Sequence, residues 1–315
     1  MRTFMLSLSL FVVILGGVLV AASLYFYDVA INRGTKDFLR NNQDLQQAQP
    51  AKATAELHPR EWLDQQPLET WELESQDRLR LVAHYLPAEE PNDKIVILAH
   101  GYTSQGKDMA SFARFYREEL GYHVLLPDAR GHGQSEGDYI GFGWPERKDY
   151  LLWIEAVIAR LGEDVQIALH GLSMGAATVM MVSGETLPSQ VKAIIEDCGY
   201  TSASDQLAYQ LKRMYNLPVF PLLPATSVVT QIKAGYSLYE ASALKQIEKN
   251  TRPILFIHGD EDRFVPTGMV WELYEACTSE KELYLVKGAG HGHAYGTDRD
   301  TYIQKVGDFL ARFLL

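Results

Sequence analysis

Apolar positions in this chain follow different rhythms along its length. From Phe4 to Tyr27 they run on almost unbroken and without a charge, between Arg2 and Asp28. A run of that length predicts a helix able to cross a bilayer core. Tyr25 and Tyr27 stand where an interfacial aromatic belt falls. From Trp71 the period changes to two. Trp71-Glu72-Leu73-Glu74-Ser75 and Leu79-Arg80-Leu81-Val82-Ala83-His84-Tyr85 alternate around Gln76-Asp77, which predicts a hairpin. Beyond it, short apolar runs near Ile95, Val124, Ile167, Ile194, Leu255 and Leu283 alternate with helical segments. That order predicts an α/β fold, with a mainly parallel twisted sheet flanked by helices.

Two stretches break the pattern. Asn41 to Pro67 is rich in Gln, Asn, Ala and Pro and reads as a polar stalk with some helix. Tyr200 to Lys249 is too long for one crossover. Helix is predicted over Ser204–Tyr215 and again over Ser227–Lys233, with the proline-stiffened apolar run Asn216–Pro224 between them.

The chemistry-bearing residues sit at predicted strand ends. Val165–Leu169 reads as a strand and Ala176–Val182 as a helix, and Gly171-Leu172-Ser173-Met174-Gly175 joins them. A G-x-S-x-G turn in that setting lifts a serine hydroxyl clear of the sheet, with the next N–H beside it. The glycines are needed because a side chain at either position would crowd strand and helix. A serine nucleophile needs a base, and the base needs an orienting acid. In a doubly wound hydrolase sheet they follow in the order Ser, Asp or Glu, His. The strand Pro253–Ile257 runs into a loop carrying Asp260, Glu261 and Asp262, and the strand Glu282–Val286 runs into a loop carrying His291 and His293.

Five motifs carry a resemblance to the α/β-hydrolase superfamily, in particular its serine aminopeptidase-like and esterase-like group with membrane-tethered bacterial members. They are H-G-Y-T at His100–Thr103, D-x-R-G-H-G-x-S at Asp128–Ser135, G-L-S-M-G at Gly171–Gly175, H-G-x-x-D-x-x-V-P at His258–Pro266 and G-A-G-H at Gly288–His291. They span roughly Trp71 to the C-terminus. The resemblance implies Ser173 as nucleophile, Asp262 as acid and His291 as base. It implies an oxyanion hole from the N–H groups of Tyr102 and Met174. His100, His132, His170 and His258 are then bracing or packing residues, and Ser135 a turn residue. Insertions at Tyr200–Lys249 form a cap over the serine in this family. The apolar Phe220, Leu222 and Leu223 are therefore expected to wall an acyl site.

The expected organisation is an anchor over residues 1–28, a stalk over 29–67 and an α/β-hydrolase catalytic domain over 68–315, with the cap inserted at about 200–249. A chain starting near Ala53 is expected to be soluble and active. Val20-Ala21-Ala22 could end a cleaved signal peptide, but the apolar run continues through Leu24–Tyr27, which favours an uncleaved anchor. The short N-terminal tail places the catalytic domain outside the cytoplasm.

A chain of 315 residues with 47% apolar and 22% charged residues is globular in composition. Its net charge of −11 argues against nucleic-acid binding. Cys198 and Cys277 are read as free, and no Cys/His spacing suggests zinc. The sequence thus predicts a serine hydrolase of carboxylic esters or related acyl compounds, without metal or cofactor, held to a membrane by its first helix. Its rivals are an aminopeptidase, which would need an acidic anchor such as Glu240, and a catalytically idle scaffold.

Overall fold

The computed structural model describes residues 2–40, 42–45 and 58–315. Eight strands form one sheet in the order β1-β2-β4-β3-β5-β6-β7-β8. The hairpin is β1 (Glu69–Glu74) with β2 (Arg80–Leu86), antiparallel in the register Trp71↔Ala83. β2 pairs antiparallel with β4 (His123–Pro127). From there the sheet is parallel through β3 (Lys94–Ala99), β5 (Gln166–Leu172), β6 (Val191–Asp197), β7 (Ile254–Gly259) and β8 (Lys281–Val286). The α/β-hydrolase fold expected from the motifs is present.

Both sheet faces are buried, which is why the central strands read as unbroken apolar runs. Period-two alternation sorts their side chains. Ile95, Ile97, Ile167, Leu169 and Phe256 enter one core, while Val96, Leu98, Ala168, Leu255 and Ile257 enter the other. Helix α1 (Arg2–Ala30) stands at the N-terminus. On the domain, α2 (Glu146–Leu161) and α3 (Met174–Ser183) cover the first face, and α7 (Arg299–Ala311) covers the second.

The cap follows β6. It contains α4 (Ala203–Tyr215) and α5 (Leu222–Ala234). Ser202 caps α4 by accepting from the Asp205 N–H at 3.0 Å. Asn216, left-handed at φ 51°, ends it. α5 starts five residues earlier than the sequence suggests. Pro224 falls in its first turn, where a missing N–H costs nothing, so the proline run ends in a helix start. A bridge between Ser202 and Ser242 closes the excursion at its base. α6 (Gly268–Ala276) follows β7.

The first part of the expected stalk is tied to the domain. Ile31 is fully buried, and its carbonyl accepts from the Ile140 N–H at 2.8 Å. The Arg33 guanidinium donates to the carbonyls of Ser135 and Gly133, both at 2.9 Å. Asp44 pairs with Arg213 of the cap at 2.6 Å. The stretch 46–57, with the start point near Ala53, lies outside the described residues. α1 itself is mixed. Its residues from Phe4 to Leu15 are largely exposed, while Tyr27 is buried and its last turns pack on α5. Among the described residues, Phe4–Ala30 is the one helix long and apolar enough to cross a membrane.

Candidate active site

Every element of the site leaves the carboxyl end of a parallel strand, the edge where open α/β sheets bind ligands. Ser173 follows β5 directly. Its backbone is forced to φ 56°, ψ −114°, a strained conformation for a residue with a side chain. Two glycines permit it. A Cβ on Gly171 would overlap the Gly175 carbonyl, and a Cβ on Gly175 would overlap the Ala99 carbonyl at the end of β3. The Ser173 N–H is held by the Asp197 carbonyl at 2.8 Å. Met174 is then the first residue of α3, and the first N–H groups of a helix have no partner within it. The turn therefore delivers a hydroxyl and an unspent N–H to the same place.

The three motif residues converge. His291 Nε2 lies 2.8 Å from Ser173 Oγ, and His291 Nδ1 lies 2.7 Å from Asp262 Oδ2. The other Asp262 oxygen accepts the N–H groups of Phe264 and Val265, both at 2.9 Å, which fixes the carboxylate's rotation. Burial would raise the Asp262 carboxyl. The His291 and His258 rings outweigh it and hold the group well below the usual carboxylate range. Asp262 is thus ionised and accepts from imidazole. Phe264 packs its ring 5.0 Å from that of His291.

The competing residues sit elsewhere. Asp260 is exposed and accepts the Gly288 N–H at 2.6 Å, tying the acid loop to the end of β8. His293 is half-buried and bonds to the backbone of Leu45. His100 accepts from the Ala129 N–H at 3.0 Å, and burial lowers its ring to about 4. His132 is lowered to about 3, first by burial and then by neighbouring His100, and accepts from the Thr103 N–H at 3.3 Å. His170 lies between the hydroxyls of Tyr116 and Tyr302 and is lowered to about 3 by burial. Neutral rings of this kind brace loops. Ser135 Oγ donates to the Asp128 carbonyl at 2.6 Å and accepts from the Val82 N–H, as a turn residue does.

His258 does more than brace. It is fully buried, with Nε2 3.0 Å from the Val265 carbonyl and 3.3 Å from Asp262 Oδ2. Burial alone would lower it, but the hydrogen bond and charge of Asp262 raise it. Cys198 also lies beside Asp262 and His291. Burial and the nearby Asp197 and Asp262 carboxylates push its thiol well up, so it stays a neutral thiol and no rival nucleophile. Cys198 and Cys277 are both unpaired.

An apolar cavity begins at Ser173 and Met174 and runs outward under the cap, enclosing about 870 Å³ when its open mouth is counted. Leu222 and Leu223 line it. Phe220 is a correction to the expected acyl wall. It stands one residue before the Pro221 cap of α5, points outward at 78% exposure, and does not line the cavity. Several lining residues carry no motif. On α4 the apolar ones are Leu207, Leu211, Met214 and Tyr215, at the i, i+4, i+7, i+8 spacing of one helix face, with Gln206 and Gln210 beside them. Phe26, Val29 and Ala30 come from the end of α1, and Ile31 follows it. Those residues lie in the segment assigned to anchor and stalk, so that segment also contributes to the cavity lining.

Such a sheet, with a serine elbow between β5 and α3 and an acid and a histidine after β7 and β8, defines a hydrolase architecture. The chain belongs to the α/β-hydrolase superfamily. A family model described as serine aminopeptidase, S33 matches residues 90–223. The uncharacterized protein YqkD of Bacillus subtilis is 33% identical over 227 residues, 72% of this chain and 73% of that protein. A carboxylesterase of Bacillus subtilis is 25% identical over 238 residues, 70% of this chain and 93% of its own. The solved esterase Pf2001 of Pyrococcus furiosus shares the fold at a TM-score of 0.66 and 24% identity, covering 85% of this chain and 100% of that one. These relatives support a hydrolase.

Proposed function

We propose that the protein is a serine hydrolase that cleaves carboxylic esters through an acyl-enzyme. The observation that carries this reading is the unbroken chain of hydrogen bonds from Ser173 Oγ through His291 to an ionised Asp262, at 2.8 and 2.7 Å, at the inner end of an apolar cavity. His291 Nε2 takes the Ser173 proton as Oγ attacks the acyl carbon. Asp262 holds the ring and stabilises the imidazolium. The N–H groups of Met174 and Tyr102 bind the developing oxyanion, each worth roughly 3 kcal/mol. The imidazolium then gives its proton to the departing alcohol oxygen as the C–O bond breaks. Water, deprotonated by the same ring, releases the acid.

The cavity lining favours esters over N-terminal residues of peptides. Among the described residues it contains no charged side chain, so it offers no ion pair to a free amine. Glu240 lies outside it and accepts the Ser237 N–H at 2.9 Å. α1 is read as a membrane anchor, with the catalytic domain outside the cytoplasm. The test is covalent labelling with a fluorophosphonate probe. Wild type is expected to label at Ser173 and to hydrolyse 4-nitrophenyl esters, while Ser173→Ala should lose labelling and about 10³-fold or more in kcat. Labelling elsewhere, or full turnover by Ser173→Ala, would remove the serine-hydrolase reading.

A further inference from the structure

α1 touches the site at two points. Phe26, Val29 and Ala30, with Ile31 just beyond the helix, line the cavity together with residues of the cap helices. The Ala30 carbonyl accepts the Tyr102 hydroxyl at 2.7 Å, so the helix also holds the loop whose N–H faces the oxyanion. The contact is closed on its cap side by Phe26, whose ring meets Tyr215 edge-on at 5.1 Å. An anchor needs none of these contacts. A tether works at the end of any flexible linker, yet this one is built into the substrate wall.

The remaining length of α1 explains the arrangement. Its outer turns from Leu10 to Leu15 are apolar on all sides and exposed, which suits a surrounding of hydrocarbon rather than water. The helix therefore leaves the bilayer where the cavity begins. α5, which packs along α1, carries the exposed apolar residues Val228 and Ile232 one turn apart. Lys233 then sits with its ammonium 4.5 Å over the ring of Tyr27, as a cation does at headgroup level.

Resting on the acyl-enzyme reading above, the geometry points to α1 as a substrate-binding wall and to a bilayer-resident ester with a long acyl chain as the substrate. The chain passes from the membrane between α1 and the cap and lies against Phe26, Val29 and Ala30, with its carbonyl at Ser173. Drawing such a chain into water first would cost roughly fourfold in equilibrium per methylene. A lateral path keeps it in apolar surroundings throughout.

Full-length protein in phosphatidylcholine vesicles provides the test. The probe is an alkyl fluorophosphonate whose ten-carbon chain ends in a diazirine. After reaction at Ser173 and illumination, the crosslink is expected on the α1 segment Phe26–Ile31. A crosslink confined to α4 and α5 would overturn the inference while leaving the hydrolase reading intact. Failure of the probe to label Ser173 would strike at that reading itself. Chain-length selectivity gives a second measure. Val29→Trp fills the wall and should lower the decanoate-to-acetate ratio of kcat/KM for 4-nitrophenyl esters by about tenfold or more. Val13→Trp, in the outer turns, should leave the ratio as in wild type. If Val29→Trp fails to fold, Phe26→Ala replaces it, with an expected fall in the ratio of about threefold or more. An unchanged ratio in a variant that still labels would mean that α1 only anchors.

Discussion

Replacing Gly175 by alanine separates an elbow built for catalysis from a serine that merely sits in a turn. A Cβ there would overlap the carbonyl of Ala99 and stand 2.8 Å from the carbonyl oxygen of His100. Both obstacles are backbone, so no side chain can swing aside. Reaching the 3.4 Å of ordinary contact requires the first turn of α3 and the end of β3 to separate by more than about 1 Å. Overpacking of that kind costs about 1–3 kcal/mol, or roughly 2–5 °C in Tm for a chain of 315 residues. The functional cost should be larger. β3 leads into the loop bearing Tyr102, and α3 begins with Met174, so the strain falls between the two proposed oxyanion donors. A misplacement of about 1 Å lowers turnover by roughly 10²-fold, and loss of one donor costs about 10²–10³-fold. Purified Gly175→Ala should therefore retain a cooperative thermal transition but lose at least about 10² in kcat/KM on 4-nitrophenyl acetate. Gly268→Ala is the control, because a Cβ at the start of α6 meets nothing within 4 Å. If Gly175→Ala melts and turns over within threefold of wild type, the oxyanion assignment to Tyr102 and Met174 fails.

Other outcomes follow from the same geometry. Asp262→Asn and His291→Ala should each lower kcat by roughly 10³–10⁴-fold, whereas Asp260→Asn and His293→Ala should cost about tenfold at most; a dead His293→Ala would reassign the base. Burial raises the Glu196 carboxyl to about 8 from an ordinary 4.5. Between those values the folded state holds a proton that the unfolded state has lost, so stability falls as pH rises through this window. Glu196→Gln should then show a shallower fall in Tm from pH 5 to pH 8 than wild type, and parallel curves would mean the carboxyl is ionised throughout. Removing everything before His58 deletes the buried Ile31, the Arg33 contacts and the Asp44–Arg213 pair. The shortened chain should melt several degrees lower and lose long-chain ester activity first, read by thermal unfolding and by esters of graded length; unchanged behaviour in both would show that the tie-down is incidental.

Most of the sheet was legible in the sequence because its signals are local. Strands buried on both faces give short apolar runs, and Gly171 and Gly175 mark the only backbone path the elbow allows. The proposed acid and base are harder to read, since Asp260 and Asp262, or His291 and His293, occupy the same turns and differ only in direction. Spacing alone left both pairs open, and the motif resemblance favoured one of each. The structure shows the physical difference. Asp262 is clamped by the N–H groups of Phe264 and Val265, whereas Asp260 faces solvent and holds Gly288. His258 was read as a brace because nothing in H-G-x-x-D shows that its ring turns toward Asp262. The wall face of α4 has a readable helical spacing, but nothing in that spacing distinguishes a cavity face from a core face, and in the neighbouring proline run Phe220 points outward.

The end of α1 was illegible for a deeper reason. Amphipathic helices announce their buried face because polar residues mark the other one. A helix that is apolar on every side carries no such mark, so the pattern from Phe4 to Tyr27 cannot show which turns stay exposed and which pack on protein. The information lies instead in the partner surfaces: the Tyr102 hydroxyl that needs an acceptor, the Tyr215 ring that needs an edge, and the Ile140 N–H that needs a carbonyl. Each is satisfied by a residue between Phe26 and Ile31. A boundary drawn where hydropathy falls therefore divides the helix just inside the segment that completes the cavity. The physical boundary lies earlier, between the outer turns exposed on all sides and the inner turns that close the site over Ser173.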